Sequence, residues 1–107
     1  MSSKAETVYQ NKLTQKLQTM FPECLVIKND PAQNQGIPDI LILFGDQWAM
    51  LEVKLSADAP HQPNQDYYVR KFDGWSFAAF IFPENEEQVL SDLQQTFTGV
   101  GREARVS

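Results

Sequence analysis

The chain has little that would staple it, carry it across a bilayer or grip a polyanion. Cys24 is the only cysteine in 107 residues, which excludes a disulfide framework and a cysteine-built zinc site. No window approaches the ~20 apolar residues that a membrane helix requires. The opening Met1-Ser2-Ser3-Lys4-Ala5-Glu6 lacks an apolar signal segment, so a cytosolic protein is expected. Repeats and composition shifts are absent too. A single domain over 1–107 follows, with the polar tail 101–107 expected to be mobile. Bases are in short supply: nine Lys and Arg against fourteen Asp and Glu leave a net charge of −5, which counts against phosphate contacts. The deficit is uneven. Residues 84–92 carry Glu84, Glu86, Glu87 and Asp92 with no base, whereas residues 1–30 carry Lys4, Lys12, Lys16 and Lys28 against Glu6, Glu23 and Asp30. A modestly basic surface can therefore remain away from the C-terminal part.

What is present suffices for a packed core, with 42% hydrophobic and 11% aromatic residues. Ser3-Lys4-Ala5-Glu6 reads as a capping box opening a helix to about Met20, with Val8, Leu13, Leu17 and Met20 as its apolar stripe. Pro22 breaks it. Leu25-Val26-Ile27 is a short strand, followed by a polar loop from Asn29 to Gly36. Ile40 to Phe44 is a continuous apolar run, as expected of a strand covered on both faces. Gly45-Asp46 signals a tight turn. From Gln47 to Leu55 the pattern alternates: Trp48, Met50, Glu52 and Lys54 share one face, and Ala49, Leu51, Val53 and Leu55 the other. A loop with two prolines covers Ser56 to Pro63. A helix from Asn64 to Asp73 capped by Gly74, a strand from Ser76 to Phe82 and a helix from Glu86 to Phe97 complete the chain. The order predicts an α/β fold with an αβββαβ core, an additional C-terminal helix and a mixed central sheet.

Three residues stand out chemically. A hairpin closing at Gly45-Asp46 sets Asp39 opposite Glu52, with Cβ atoms about 5 Å apart. Two carboxylates at that spacing suit one Mg²⁺, which favours oxygen ligands and retained water. A metal held by Asp39 and Glu52 can polarise a phosphodiester and acidify a bound water. Lys54, two residues beyond Glu52 on the same face, can orient that water or stabilise charge developing on the phosphate oxygens. The plainer alternative makes Asp39 a turn residue after Ile37-Pro38, and Glu52 and Lys54 a solvent-facing ion pair of small consequence. Trp48 and Met50 on the same face weigh against a simply wet surface.

Gly36-Ile37-Pro38-Asp39-Ile40, then Leu51-Glu52-Val53-Lys54, then Gln65-Asp66-Tyr67-Tyr68 resembles the PD-(D/E)XK nuclease superfamily, and within it the VRR-Nuc branch. The resemblance spans about residues 6–82. It implies a restriction-endonuclease-like core, Asp39 and Glu52 as metal ligands, the Val53 carbonyl as a further ligand, and Lys54 as the catalytic lysine. It also implies a glutamate from the first helix, for which Glu6 is the candidate, although Glu6 equally fits the capping box. Gln65 corresponds to the family's glutamine. Independently, Gln65, Tyr68, Val69 and Phe72 fall on one helical stripe, where a buried amide needs a partner.

Stand-alone chains resembling this branch act on branched DNA in phage and bacteria, Holliday-junction resolvases among them. The expectation is an endodeoxyribonuclease using Mg²⁺, with Mn²⁺ as a substitute and no small-molecule cofactor. Paired junction cuts imply a homodimer. Lys12, Lys16, Arg70 and Lys71 are candidate phosphate contacts, with a solvated face as the alternative. His61, the only histidine, reads as solvent-exposed in its Pro-flanked loop, and Trp75 and Phe77 read as core. Two rivals remain: a site-specific homing or restriction-type endonuclease, and a catalytically silent DNA-binding or interaction module on the same fold.

Overall fold

The computed structural model describes residues 3–99, so the tail 101–107 lies outside the described residues. The elements run α1 (Lys4–Met20), β1 (Leu25–Lys28), β2 (Ile40–Phe44), β3 (Gln47–Val53), α2 (Gln65–Trp75), β4 (Ala78–Ile81) and α3 (Glu86–Thr98). The four strands form one sheet in chain order. β1–β2 and β2–β3 are antiparallel, and β4 adds parallel to β3. This is the expected αβββαβ arrangement with a mixed sheet and a C-terminal helix. No helix of the described residues is long and apolar enough to cross a membrane.

The core lies on one side of the sheet. Ile40, Ile42, Ala49, Leu51, Val53 and Ile81 face Leu13, Leu17 and Phe21 from the α1 side and Leu90, Leu93 and Phe97 from α3. Each fully buried Leu or Ile contributes ~1.5–3 kcal/mol relative to exposure. Phe21, Phe44 and Phe97 close one end, with ring centroids 5.1–5.6 Å apart. The capping box at Ser3 and Glu6 forms as expected. The stripe of α1 differs from expectation, because Val8 is 47% exposed while Gln10 is buried. The helix thus turns a polar residue inward, one turn ahead of Leu13.

α2 lies on the opposite side, packing chiefly on β3 and β4. It runs one residue beyond Gly74, which is helical instead of a left-handed cap; the Ser76 N–H closes the helix on the Phe72 carbonyl. Trp75 packs its edge on Phe72 yet is 65% exposed, so it is not core. β4 is shorter than the Ser76–Phe82 run. Asp73 takes the Ala78 N–H, and Asn85 takes the Phe82 N–H while donating to the Phe80 carbonyl. Side chains thus replace the ladder at both ends.

One glycine joins the two loops beside the sheet. Gly36 has φ +91°, and a Cβ there would lie 2.7 Å from the Asn64 Cβ and the Pro63 carbonyl oxygen. Gly36→Ala should destabilise by about 1–3 kcal/mol, since neither the backbone angle nor the contact tolerates a methyl. Thermal melting of the purified variant measures this, and an unchanged midpoint would refute the tight approach.

Candidate active site

The turn at Gly45-Asp46 builds the site. Gly45 takes the positive φ that a two-residue hairpin turn requires at its first position. The resulting register pairs Ile40 with Leu51. Carried one residue outward, it sets Asp39 opposite Glu52. The Val53 N–H donates to Asp39 Oδ2 at 2.9 Å, which locks the pairing. Behind it, the Asn29 N–H donates to the Asp39 carbonyl at 2.9 Å, and Asn29 Nδ2 to the Pro38 carbonyl at 2.9 Å. Pro38 itself is fully buried. Val53 points its side chain into the core, so only its backbone is available to the site.

Glu52 is 3% exposed and Lys54 8%. They are therefore not a solvent-facing ion pair. Lys54 Nζ donates to Gln65 Oε1 at 2.7 Å and to the Pro60 carbonyl at 3.0 Å, and stands 3.9 Å from Glu52 Oε2. Gln65 Nε2 donates to Glu52 Oε2 at 3.1 Å. The Gln62 N–H donates to Gln65 Oε1 at 2.8 Å and pins the amide's orientation. The partner that Gln65 needed is thus the pair Glu52 and Lys54, and Gln62 serves through its backbone.

Electrostatics mark the carboxyls. Burial first, and then the neighbouring Asp39, push the Glu52 carboxyl up to about 9. Burial also raises Asp39, against the opposing Val53 N–H. Among the described residues, Glu52 Oε1 is buried without a hydrogen-bond partner. An orphaned carboxylate oxygen beside a second carboxyl is strongly disfavoured unless a cation or proton joins it. The all-oxygen donor set, Asp39 and Glu52 with the Val53 carbonyl, fits Mg²⁺.

Glu6 behaves differently. Its carboxylate accepts the Ser3 N–H at 3.3 Å within the capping box. Its charge is felt at both Asp39 and Glu52. Among the described residues, however, no group of three or more His, Cys, Asp or Glu side chains could hold a metal. The first helix brings Glu6 near the pair without gathering it as a third ligand.

The candidate phosphate contacts are scattered. Lys16 pairs with Glu86, which also accepts from the Tyr9 hydroxyl at 2.8 Å. Lys71 lies over the Tyr67 and Trp75 rings, 5.4 and 5.2 Å from their centroids. Lys12 and Arg70 are exposed on α1 and α2. A cleft of about 660 Å³ opens directly beside Asp39, and its lysine is Lys28, which periodicity did not single out. Gln10 lines the same cleft. The signal for it was legible: like Gln65, it is a glutamine on an otherwise apolar helical stripe. His61 is held by Asp66 at 2.8 Å and stacks on Phe80 at 4.2 Å, so it anchors the 56–64 loop. Compared with protein-family models, curated proteins and solved structures, the chain matches none.

Proposed function

We propose that the chain is a Mg²⁺-dependent endodeoxyribonuclease of the PD-(D/E)XK type, acting on branched DNA. The observation that carries this reading is a carboxyl pair, Glu52 buried and Asp39 half-buried, with an orphaned oxygen on Glu52, beside a buried lysine whose hydrogen bonds go to Gln65 and the Pro60 carbonyl. Magnesium, or Mn²⁺ in its place, would be held by Asp39, Glu52 and the Val53 carbonyl, and when bound supplies Lewis-acid polarisation of the phosphodiester and an acidified water.

The chain's own groups do the rest. The Lys54 ammonium has three N–H donors. Two are taken by Gln65 and Pro60, which leaves one for a phosphate oxygen or the attacking water. Gln65 holds Lys54 and Glu52 at once, so the ammonium stays off the carboxylate and points where negative charge develops. The acidic balance of the chain argues for a substrate recognised by shape and metal contact more than by a dense cationic surface.

Cutting both strands of a junction needs two sites, hence a homodimer. Leu25, Leu43 and Ile27 are 56%, 38% and 36% exposed. Register places them together on the face that α2 leaves open. Sedimentation should give a dimer for the wild-type chain and a monomer for Leu43→Lys; a wild-type monomer at every concentration would remove the two-site account.

The decisive assay incubates the protein with a synthetic four-way junction, a linear duplex and supercoiled plasmid, with Mg²⁺ or Mn²⁺. Junction cleavage independent of sequence is expected. Cutting at one fixed sequence on linear duplex would favour a homing or restriction-type enzyme. No cleavage of any substrate with either metal would leave a silent binding module instead.

A further inference from the structure

Gln10 is 4% exposed, and its side chain makes no hydrogen bond among the described residues. Its amide atoms are not sealed, since among the described residues the buried side-chain atom left without a partner is Glu52 Oε1; what stays accessible of Gln10 opens on the cleft. The amide borders the cleft beside Asp39, whose other polar lining includes Lys28, Asn29, Asp30 and Gln35. The rim is built and held. Lys28 Nζ donates to Asn11 Oδ1 at 3.2 Å, Asp30 Oδ1 accepts the Ala32 N–H at 2.9 Å, and the Ile37 N–H donates to the Asn34 carbonyl at 3.0 Å, closing the turn that carries Gln35.

The chemistry of this lining selects its occupant. Two carboxylates, Asp30 and Asp39, outnumber the single lysine, so a free phosphate is disfavoured. Carboxamides offer a donor and an acceptor together, as the edge of a nucleobase does. A volume of about 660 Å³ falls in the range of small-ligand pockets and has room for one base with its sugar. A base still stacked in a duplex cannot enter such a cleft; one taken out of the stack can. Asp39 belongs to both the cleft and the carboxyl pair, so the occupant is the nucleotide attached to the phosphate at that pair.

We infer that the cleft between α1 and the 29–36 loop is a subsite for one unpaired nucleobase, read by the Gln10 amide, next to the scissile phosphate. This rests on the nuclease reading and narrows its substrate to DNA with an unpaired nucleotide at the cut.

The test uses binding, so it does not depend on turnover. The full-length Lys54→Ala chain in Mg²⁺ is titrated with two DNAs, a fully paired duplex and the same duplex with one unpaired 2-aminopurine nucleotide at a branch. Expected are about tenfold tighter binding of the second, as for one good amide–base contact, and a rise in 2-aminopurine fluorescence as the base leaves the stack. Adding Gln10→Leu should erase both. Gln35→Ala, at an exposed rim position, should weaken both without touching the packing. Equal affinity for the two DNAs in the parent, or an unchanged preference in both cleft variants, overturns the subsite. Failure of the nuclease reading looks different: the wild-type chain cuts neither DNA with Mg²⁺ or Mn²⁺, while the preference and its loss in Gln10→Leu persist.

Discussion

Lys54→Ala should lower the rate of cleavage by about 10²–10³ or more, the range for losing one preorganised stabiliser of transition-state charge, while leaving metal affinity within a few-fold of the wild type. Asp39→Ala should remove both activity and metal binding. The difference follows from how the two side chains are held. Lys54 is tethered by the Pro60 carbonyl and Gln65 and lies 3.9 Å from Glu52, so its removal leaves the carboxyl pair standing. Gln65 keeps its hydrogen bonds from the Gln62 N–H and to Glu52. Asp39, by contrast, is one half of the pair and also accepts the Val53 N–H. Single-turnover cleavage and Mn²⁺ titration by calorimetry separate the roles. If Lys54→Ala and Asp39→Ala lose folding to the same extent, as judged by circular dichroism, the three residues are a structural network and the catalytic assignment fails.

Glu52→Gln should make the metal-free protein more stable at pH 8 by at least ~1 kcal/mol, the scale of relieving one unsatisfied buried polar group, and should abolish Mg²⁺ binding. The sign follows from linkage. The folded carboxyl titrates near 9, well above its ordinary 4.5, because it is buried and faces Asp39. Folded protein therefore binds more protons than unfolded protein between those values. The stabilising influence of protonated Glu52 is complete below about pH 4.5 and is lost as pH rises through about 9. Urea unfolding of the wild type without metal should show stability falling across this window, and Glu52→Gln should flatten the slope. The neutral amide keeps an acceptor for Gln65 Nε2 and adds a donor that can face Asp39. An identical slope in the two proteins would show that Glu52 is not the group whose ionisation strains the site. Stability gained at the cost of activity is the usual mark of a functional site.

Much of this was legible in one dimension because short-range rules govern it. A two-residue turn fixes the register of the strands it joins, so placing Gly45-Asp46 was enough to set Asp39 opposite Glu52. Strand alternation placed Lys54 beside Glu52, and capping chemistry located the start of α1. Gln65 was found because a glutamine on an apolar stripe demands a partner. The same reasoning applied to α1 points to Gln10, but Val8 looked like the better stripe residue. The packing of α1 on the sheet leaves Val8 exposed and turns Gln10 inward.

Other features have no local signature. Whether Trp75 is core or surface depends on where α2 lies on the sheet, and it packs chiefly on β3 and β4. α2 runs through Gly74 because glycine permits a left-handed cap without requiring one. The role of Gly36 emerges only when the 29–36 loop meets Pro63 and Asn64, residues far from it in sequence.

The sequence alone, then, determined the order of elements, the hairpin register and the Asp39, Glu52 and Lys54 constellation, since neighbouring residues and turn geometry decide these. Tertiary structure decided how the constellation is charged and what surrounds it. Burial of Glu52, the orphaned oxygen, the tether of Lys54 and the cleft with Gln10 all depend on which distant segments exclude water from the site, and no local pattern encodes that.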